Sequence, residues 1–185
     1  DLDASEKAAT EIDSRARILQ RELDDIAGFP VNPNPSASIH KLFNPQKNDA
    51  GIWILSDGTP AESTEGGKAS INADVLRDMK HPAASMILRL RKMIKTRDTF
   101  IRGHILSYHN NGMIHANYNQ AKSENDRGTG TGRLSVNSPA LQQIPARDKD
   151  IASVVRALFL PDDGHDWGCW DWAQMDFRMM TSARP

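Results

Sequence analysis

Apolar residues at Ile12, Ala16, Leu19, Leu23 and Ile26 recur at helical spacing through a charged stretch, so the pattern predicts an amphipathic helix over about Ser5 to Ala27. Gly28 followed by Pro30 stops it. Alternating Pro and Asn from Pro30 to Ser36 predict extended chain, after which Ser36 or Ser38 is placed to cap a short helix through Phe43. Asn44 to Ser70 is rich in Gly, Pro, Asn, Asp and Ser and broken by Ile52-Trp53-Ile54-Leu55, the pattern of a long surface loop with one short strand-like piece. Asn72 is positioned to cap a helix through Met79. Pro82 suits the first turn of the longest expected helix, to about His109, with Met86, Leu90, Ile94, Ile101 and Ile105 along one stripe. Past the Asn111-Gly112 turn, Met113 to Tyr118 reads as a short strand, and a polar, Gly-rich run from Gln120 to Gly132 follows.

At 185 residues, with 38% hydrophobic and 25% charged, the chain has the length and balance of one ordinary globular domain. No apolar run approaches the roughly 20 residues that span a bilayer, and no basic, apolar leader follows Asp1, so neither a membrane role nor secretion is expected. The lone Cys169 fits a reducing compartment and reads as a small buried apolar residue. A net charge of -1 gives no global case for nucleic-acid binding, but the distribution is polarised. Acids crowd the start, from Asp1 to Asp25, whereas Arg89, Arg91, Lys92, Lys95, Arg97 and Arg102 face a single acid, Asp98, on the long helix. That face is either a solvated surface or a track for phosphates, binding to which would be salt-dependent.

Two stretches carry candidate chemistry. Gly128-Thr129-Gly130-Thr131-Gly132-Arg133 lacks the endings of a P-loop and of a dinucleotide fingerprint, and by itself reads as a flexible turn. Further on, Trp167-Gly168-Cys169-Trp170-Asp171-Trp172-Ala173 reads as a buried strand leading into a helix start at Gln174. A carboxylate beside two indoles is costly to desolvate unless compensated. Asp171 is then either a helix N-cap, with Gln174 completing a capping box, or a ligand for a divalent cation such as magnesium.

The order and separation of Thr131-Gly132-Arg133-Leu134-Ser135, Leu141-Gln142-Gln143-Ile144-Pro145 and Asp171-Trp172-Ala173-Gln174-Met175-Asp176-Phe177-Arg178 resemble the signatures of the DNA polymerase I-like, or family A, polymerases. Phe29-Pro30-Val31-Asn32-Pro33-Asn34-Pro35-Ser36 and the run from Gly67-Lys68-Ala69-Ser70-Ile71-Asn72 to Leu76 resemble that family's thumb. The resemblance implies an α+β fold: a mainly helical thumb over residues 1–118, then a partial antiparallel palm sheet over 119–185. Asp171 would be the catalytic aspartate holding two magnesium ions, with the Trp172 backbone carbonyl as a further ligand. Gln174, Asp176 and Arg147 would lie at the nucleotide, and Arg178 would support the helix. Thr131, Arg133, Gln142 and Gln143 would contact the duplex, joined by Arg89, Lys92 and Lys95 of the basic helix. Contacts in the minor groove suit a copying enzyme, because its acceptors vary little with sequence.

Three departures accompany the resemblance. Asp176 stands where the family usually has Glu, the residue that excludes a ribose 2′-hydroxyl; Ala140 replaces a frequent Asn; Lys122 to Arg127 is a polar insertion. The implied reaction is attack of a primer 3′-hydroxyl on a deoxynucleotide, with primer-template duplex, deoxynucleoside triphosphates and the remainder of the polymerase as partners, in the cytoplasm of a bacterium or an infected host. The family's fingers helix and second acidic palm motif would lie beyond Pro185, so the chain by itself is expected to be inactive. A non-catalytic duplex-binding half of a split or degenerate polymerase is the competing reading. A metal-dependent nuclease would need a second placed carboxylate, and a single-subunit RNA polymerase would not be expected to carry the Thr-Gly-Arg-Leu-Ser run.

Overall fold

In the computed structural model, residues 1–34, 37–120, 128–131, 133–146, 148–171, 173, 174 and 178 are described, with Asp150 by its backbone alone. Helix α1 spans Leu2–Ala27 and starts earlier than the apolar stripe suggests, because the Asp1 carboxylate accepts the Ala4 N–H at 3.0 Å. It ends where Gly28 takes φ 72° and donates its N–H to the Asp24 carbonyl. Ala16, Leu19 and Leu23 are buried as their spacing predicts, while Ile26 stays 48% exposed. Helix α2 is Ala37–Phe43; Ser38 Oγ accepts the Asn32 N–H, and Ser36 lies outside the described residues.

The stretch expected to be one loop with a single strand-like piece is a small antiparallel sheet. Its strands are β1 (Gln46–Lys47), β2 (Trp53–Ile54) and β3 (Pro60–Ala61), in that order, with Lys47 opposite Trp53 and Trp53 opposite Ala61. Two-residue strands are too short for any alternation to register. They are fixed instead by the core beneath them. Leu55, Ala61, Ala69 and Ile71 pack with Leu19 and Leu23 of α1, with Ile39 and Phe43 of α2, and with Leu76 of α3 (Ala73–Asp78). Phe43 is fully buried, worth roughly 1.5–3 kcal/mol, and meets the His81 ring edge-on at 5.5 Å. Asn72 caps α3 as expected, its Oδ1 accepting the N–H groups of Asp74 and Val75.

Helix α4 spans Pro82–Lys95, and the His81 ring accepts the Ala83 N–H before it. The expected continuation to His109 is not α-helical: Thr96–Leu106 is a π-helix, so the longest α-helix is α1. The predicted stripe holds at Leu90, Ile101 and Ile105. Ile87 and Leu90 are buried, Met86 and Ile94 only half so, and past Lys95 the buried set becomes Thr96, Phe100, Ile101, His104 and Ile105. Gly103 permits that winding, since a Cβ there would lie 2.9 Å from the Asp98 carbonyl oxygen. Ile101 and Ile105 join Ala9 of α1 and Leu158 in a second cluster at the other end of α1.

Strands β4 (His109–Asn110) and β5 (Met113–Ile114) form a hairpin whose turn residues Asn111 and Gly112 both have positive φ, the geometry this dipeptide favours. Strand β6 (Asn117–Asn119) pairs antiparallel with β7 (Ser135–Asn137), Tyr118 facing Val136. Helix α5, Lys149–Arg156, was not anticipated, although Asp148 before Ile151, Ala152 and Val155 is a readable start signal; Asp148 caps it and Val155 is fully buried.

The expected buried strand at Trp167–Ala173 is absent among the described residues. Trp167 is 66% and Trp170 95% exposed, and Cys169, expected to be buried, is exposed as well. A strand covered on both faces exists only where neighbours take its backbone hydrogen bonds and bury its side chains, and no described strand pairs with this one. The class remains α+β, and no described helix is long and apolar enough to cross a membrane.

Candidate functional site

Asp171 lies on the extended chain after α5, exposed, with no hydrogen bond or ion pair among the described residues. It caps no helix among the described residues. Gln174, the other half of the expected capping box, has φ 54°, outside the right-handed helical region, and its carbonyl accepts the Arg178 N–H. Arg178 Nε also donates to the Ala173 carbonyl at 3.0 Å. Among the described residues no three His, Cys, Asp or Glu side chains gather as a metal-sized group. Trp172, Asp176 and Arg147, named with Asp171 in the expected site, lie outside the described residues.

The Arg133-Leu134-Ser135 run enters β7, so its geometry is set by the β6–β7 pair and by the residues around it. Asn119 Nδ2 approaches Ser135 Oγ at 3.5 Å, and Thr129 Oγ1 donates to the Arg133 carbonyl at 2.5 Å. On the other edge of β7, Gln142 Nε2 donates to the Leu134 carbonyl at 3.0 Å and Gln142 Oε1 accepts the Val136 N–H at 3.2 Å. Gln142 and Gln143 share a single 3₁₀ turn, Leu141–Gln143, yet only Gln142 bonds β7 in this way. Thr131, Arg133 and Gln143 are exposed. Nothing in the residue types announced these internal bonds, because a Gln side chain serves a ligand and a strand edge with the same atoms.

The basic cluster does not form one face. Arg91 turns inward, its Nε donating to the Pro33 carbonyl at 2.5 Å while Nη2 is buried without a partner; burial pushes its pKa down. Arg97 pairs with Asp98 at 2.7 Å and with Asp13 of α1. The hydrogen bond to Asp98 holds the Arg97 pKa above the usual value against the cost of burial, and the reciprocal bond holds Asp98 below the usual carboxylate range. Arg102 approaches Asp98 at 3.3 Å, and Lys92 pairs with Asp148 at 2.8 Å. Arg89 and Lys95 are exposed. Arg89 and Lys92 border a cavity of about 250 Å³ between α1, α4 and α5, floored by Ile12, Met93 and Ile151.

The model of DNA polymerase family A matches residues 2–183, and the chain belongs to that family. It is 50% identical over 188 residues to DNA polymerase DpoZ of Acinetobacter phage SH-Ab 15497, covering 98% of this chain and 30% of the relative. It is 41% identical to DNA polymerase DpoZ of Vibrio phage phiVC8, covering 98% and 28%, and 27% identical to the thermostable DNA polymerase I of Thermus thermophilus, covering 92% and 19%. The chain therefore spans less than a third of the length of these relatives. Its fold matches the POL domain of Pol1 from M. smegmatis, solved with DNA primer-template and dNTP, at a TM-score of 0.67 and 21% identity over 90% of this chain and 27% of that one.

Proposed function

We propose that this chain is the thumb and the first part of the palm of a DNA-directed DNA polymerase that adds deoxynucleotides to a primer 3′-hydroxyl. Residues 1–118 form the thumb and 119–185 the beginning of the palm; β6, at Asn117–Asn119, reaches across that division through its pairing with β7. Asp171 carries the reading. It is exposed and, among the described residues, makes no hydrogen bond or ion pair, and it opens the Asp171-Trp172-Ala173-Gln174 run that resembles the family's palm signature. Such a carboxylate is open to a cation.

Magnesium fits such a group, since it takes one or two carboxylates and completes its shell with water and substrate phosphate. Asp171 would hold it together with the Trp172 carbonyl; bound there, the ions would lower the pKa of the 3′-hydroxyl and stabilise charge on the attacking and leaving oxygens. Gln174, Asp176 and Arg147 would orient the incoming nucleotide, and Thr131, Arg133 and Gln143 would grip the minor groove. Arg89 and Lys95 would meet backbone phosphates, with Lys92 contributing less because Asp148 already neutralises it. Partners are primer-template duplex, deoxynucleoside triphosphates and the rest of the polymerase, in the cytoplasm of a bacterial or infected cell.

The test uses the complete polymerase. Asp171→Asn should lower magnesium-dependent primer extension by about a hundredfold or more while leaving duplex affinity within about twofold. Undiminished extension would remove the chemical basis of the assignment. Salt-sensitive duplex binding by a complete protein that never extends a primer would favour the competing reading, a module that only grips DNA.

A further inference from the structure

We propose that Gln142 is a positioning residue for the Arg133-Leu134-Ser135 strand, acting on a bound duplex through Arg133 rather than by touching DNA itself. In a parallel ladder, one residue of the neighbouring strand gives its N–H to the carbonyl of residue i−1 and takes the N–H of residue i+1. The Gln142 amide makes that same pair of bonds around Ser135, to the Leu134 carbonyl at 3.0 Å and from the Val136 N–H at 3.2 Å. A single side chain thus stands in for a strand on the edge of β7 that β6 leaves open.

Two features make this more than an incidental contact. β7 is three residues long and, among the described strands, pairs with β6 alone, so two further bonds are a large share of what holds it. The fully buried Pro139, between β7 and the Leu141–Gln143 turn, anchors the loop from which Gln142 reaches back. The Leu134 carbonyl is fixed one residue after Arg133, while the Thr129 hydroxyl fixes the Arg133 carbonyl itself. Removing the Gln142 bonds would therefore free the segment that aims the Arg133 guanidinium.

The part of this inference that concerns DNA rests on the proposed polymerase function; the part that concerns the strand does not. In the complete protein without nucleic acid, Gln142→Leu should speed hydrogen exchange at the Val136 amide by about three- to tenfold. Gln142→Glu, which keeps the acceptor, should retain most of that protection, and unchanged exchange in Gln142→Leu would overturn the proposal. With primer-template, Gln142→Leu and Arg133→Ala should each raise KM for the duplex, and the double variant should be no worse than Arg133→Ala within about twofold. Multiplying effects would mean that Gln142 contacts the duplex directly, which would also overturn it. If the complete protein binds duplex without extending primers, the polymerase reading fails while the same cycle measured in duplex Kd still decides. If it binds no duplex, Val136 exchange decides the strand role and the action through Arg133 is overturned.

Discussion

Lys92 Nζ of α4 lies 2.8 Å from Asp148 Oδ1, the carboxylate that also caps α5 through the Ile151 N–H. One acid thus joins α4 to α5. Both side chains keep about a third of their surface in water, so the pair is worth at most roughly 1 kcal/mol. Its larger effect is on charge. Asp148→Asn removes that carboxylate from beside the Lys92 ammonium and should tighten duplex binding, with a steeper salt dependence, whereas Lys92→Ala should weaken it less than Arg89→Ala does. Titration of the four proteins with labelled duplex at several salt concentrations checks this.

Arg97 spends its charge differently. It is mostly enclosed and bonded to Asp13, 84 residues away on α1, as well as to Asp98 beside it. Truncation leaves the half-buried Asp13 with only Arg17 as a partner. Arg97→Ala should therefore lower stability by about 1–3 kcal/mol in denaturant unfolding, while the salt slope of duplex binding stays unchanged. A loss of one phosphate contact from that slope would show that Arg97 reaches DNA after all.

The π-helix predicts its own weak point. Gly103→Ala puts a methyl 2.9 Å from the Asp98 carbonyl oxygen, closer than side chains come, so the backbone must shift. Although Ala is the better helix former by roughly 1 kcal/mol, the variant should be less stable than the wild type, as a fall in midpoint temperature. A rise would mean that the segment rewinds to an ordinary α-helix at no cost.

What the sequence revealed and what it hid divide along physical lines. Helices α1 and α3 were legible because their caps, Gly28 and Asn72, act on the backbone a few residues away. The π-winding was not, since it follows from Arg97 meeting Asp13 and from Gly103 packing on Asp98, contacts that no local period encodes. The three-stranded sheet was hidden by strands of two residues each. Asp171 stood out as a carboxylate between indoles and Arg133 through the resemblance of its run to the family A signatures, whereas the bonds of Gln142 to Leu134 and Val136 depend on where β7 runs, which no local pattern encodes. The strand expected at Trp167 has the right composition and lacks the neighbours that would cover it among the described residues.

Acid should unfold this chain in two stages. His104 is buried, edge-on to the Phe100 ring at 5.6 Å and with Nδ1 unpartnered among the described residues, and burial pushes its pKa below the ordinary 6.5. The unfolded chain therefore takes up that proton first, and stability falls as pH drops below about 6.5 until the folded form also protonates. Asp98 and Asp57 add a later loss. Asp98 is held low by its bond to Arg97; at Asp57, burial raises the pKa, but the amides of Thr59 and Lys80 and the Thr59 hydroxyl outweigh it and leave it low. Their stabilisation is complete above the ordinary value of 3.8 and disappears as pH falls below it. In His104→Phe the first stage should vanish while the second remains, read as midpoint temperature against pH from 8 down to about 3. A wild-type curve flat between neutrality and pH 5 would show that His104 finds a partner or water when it charges.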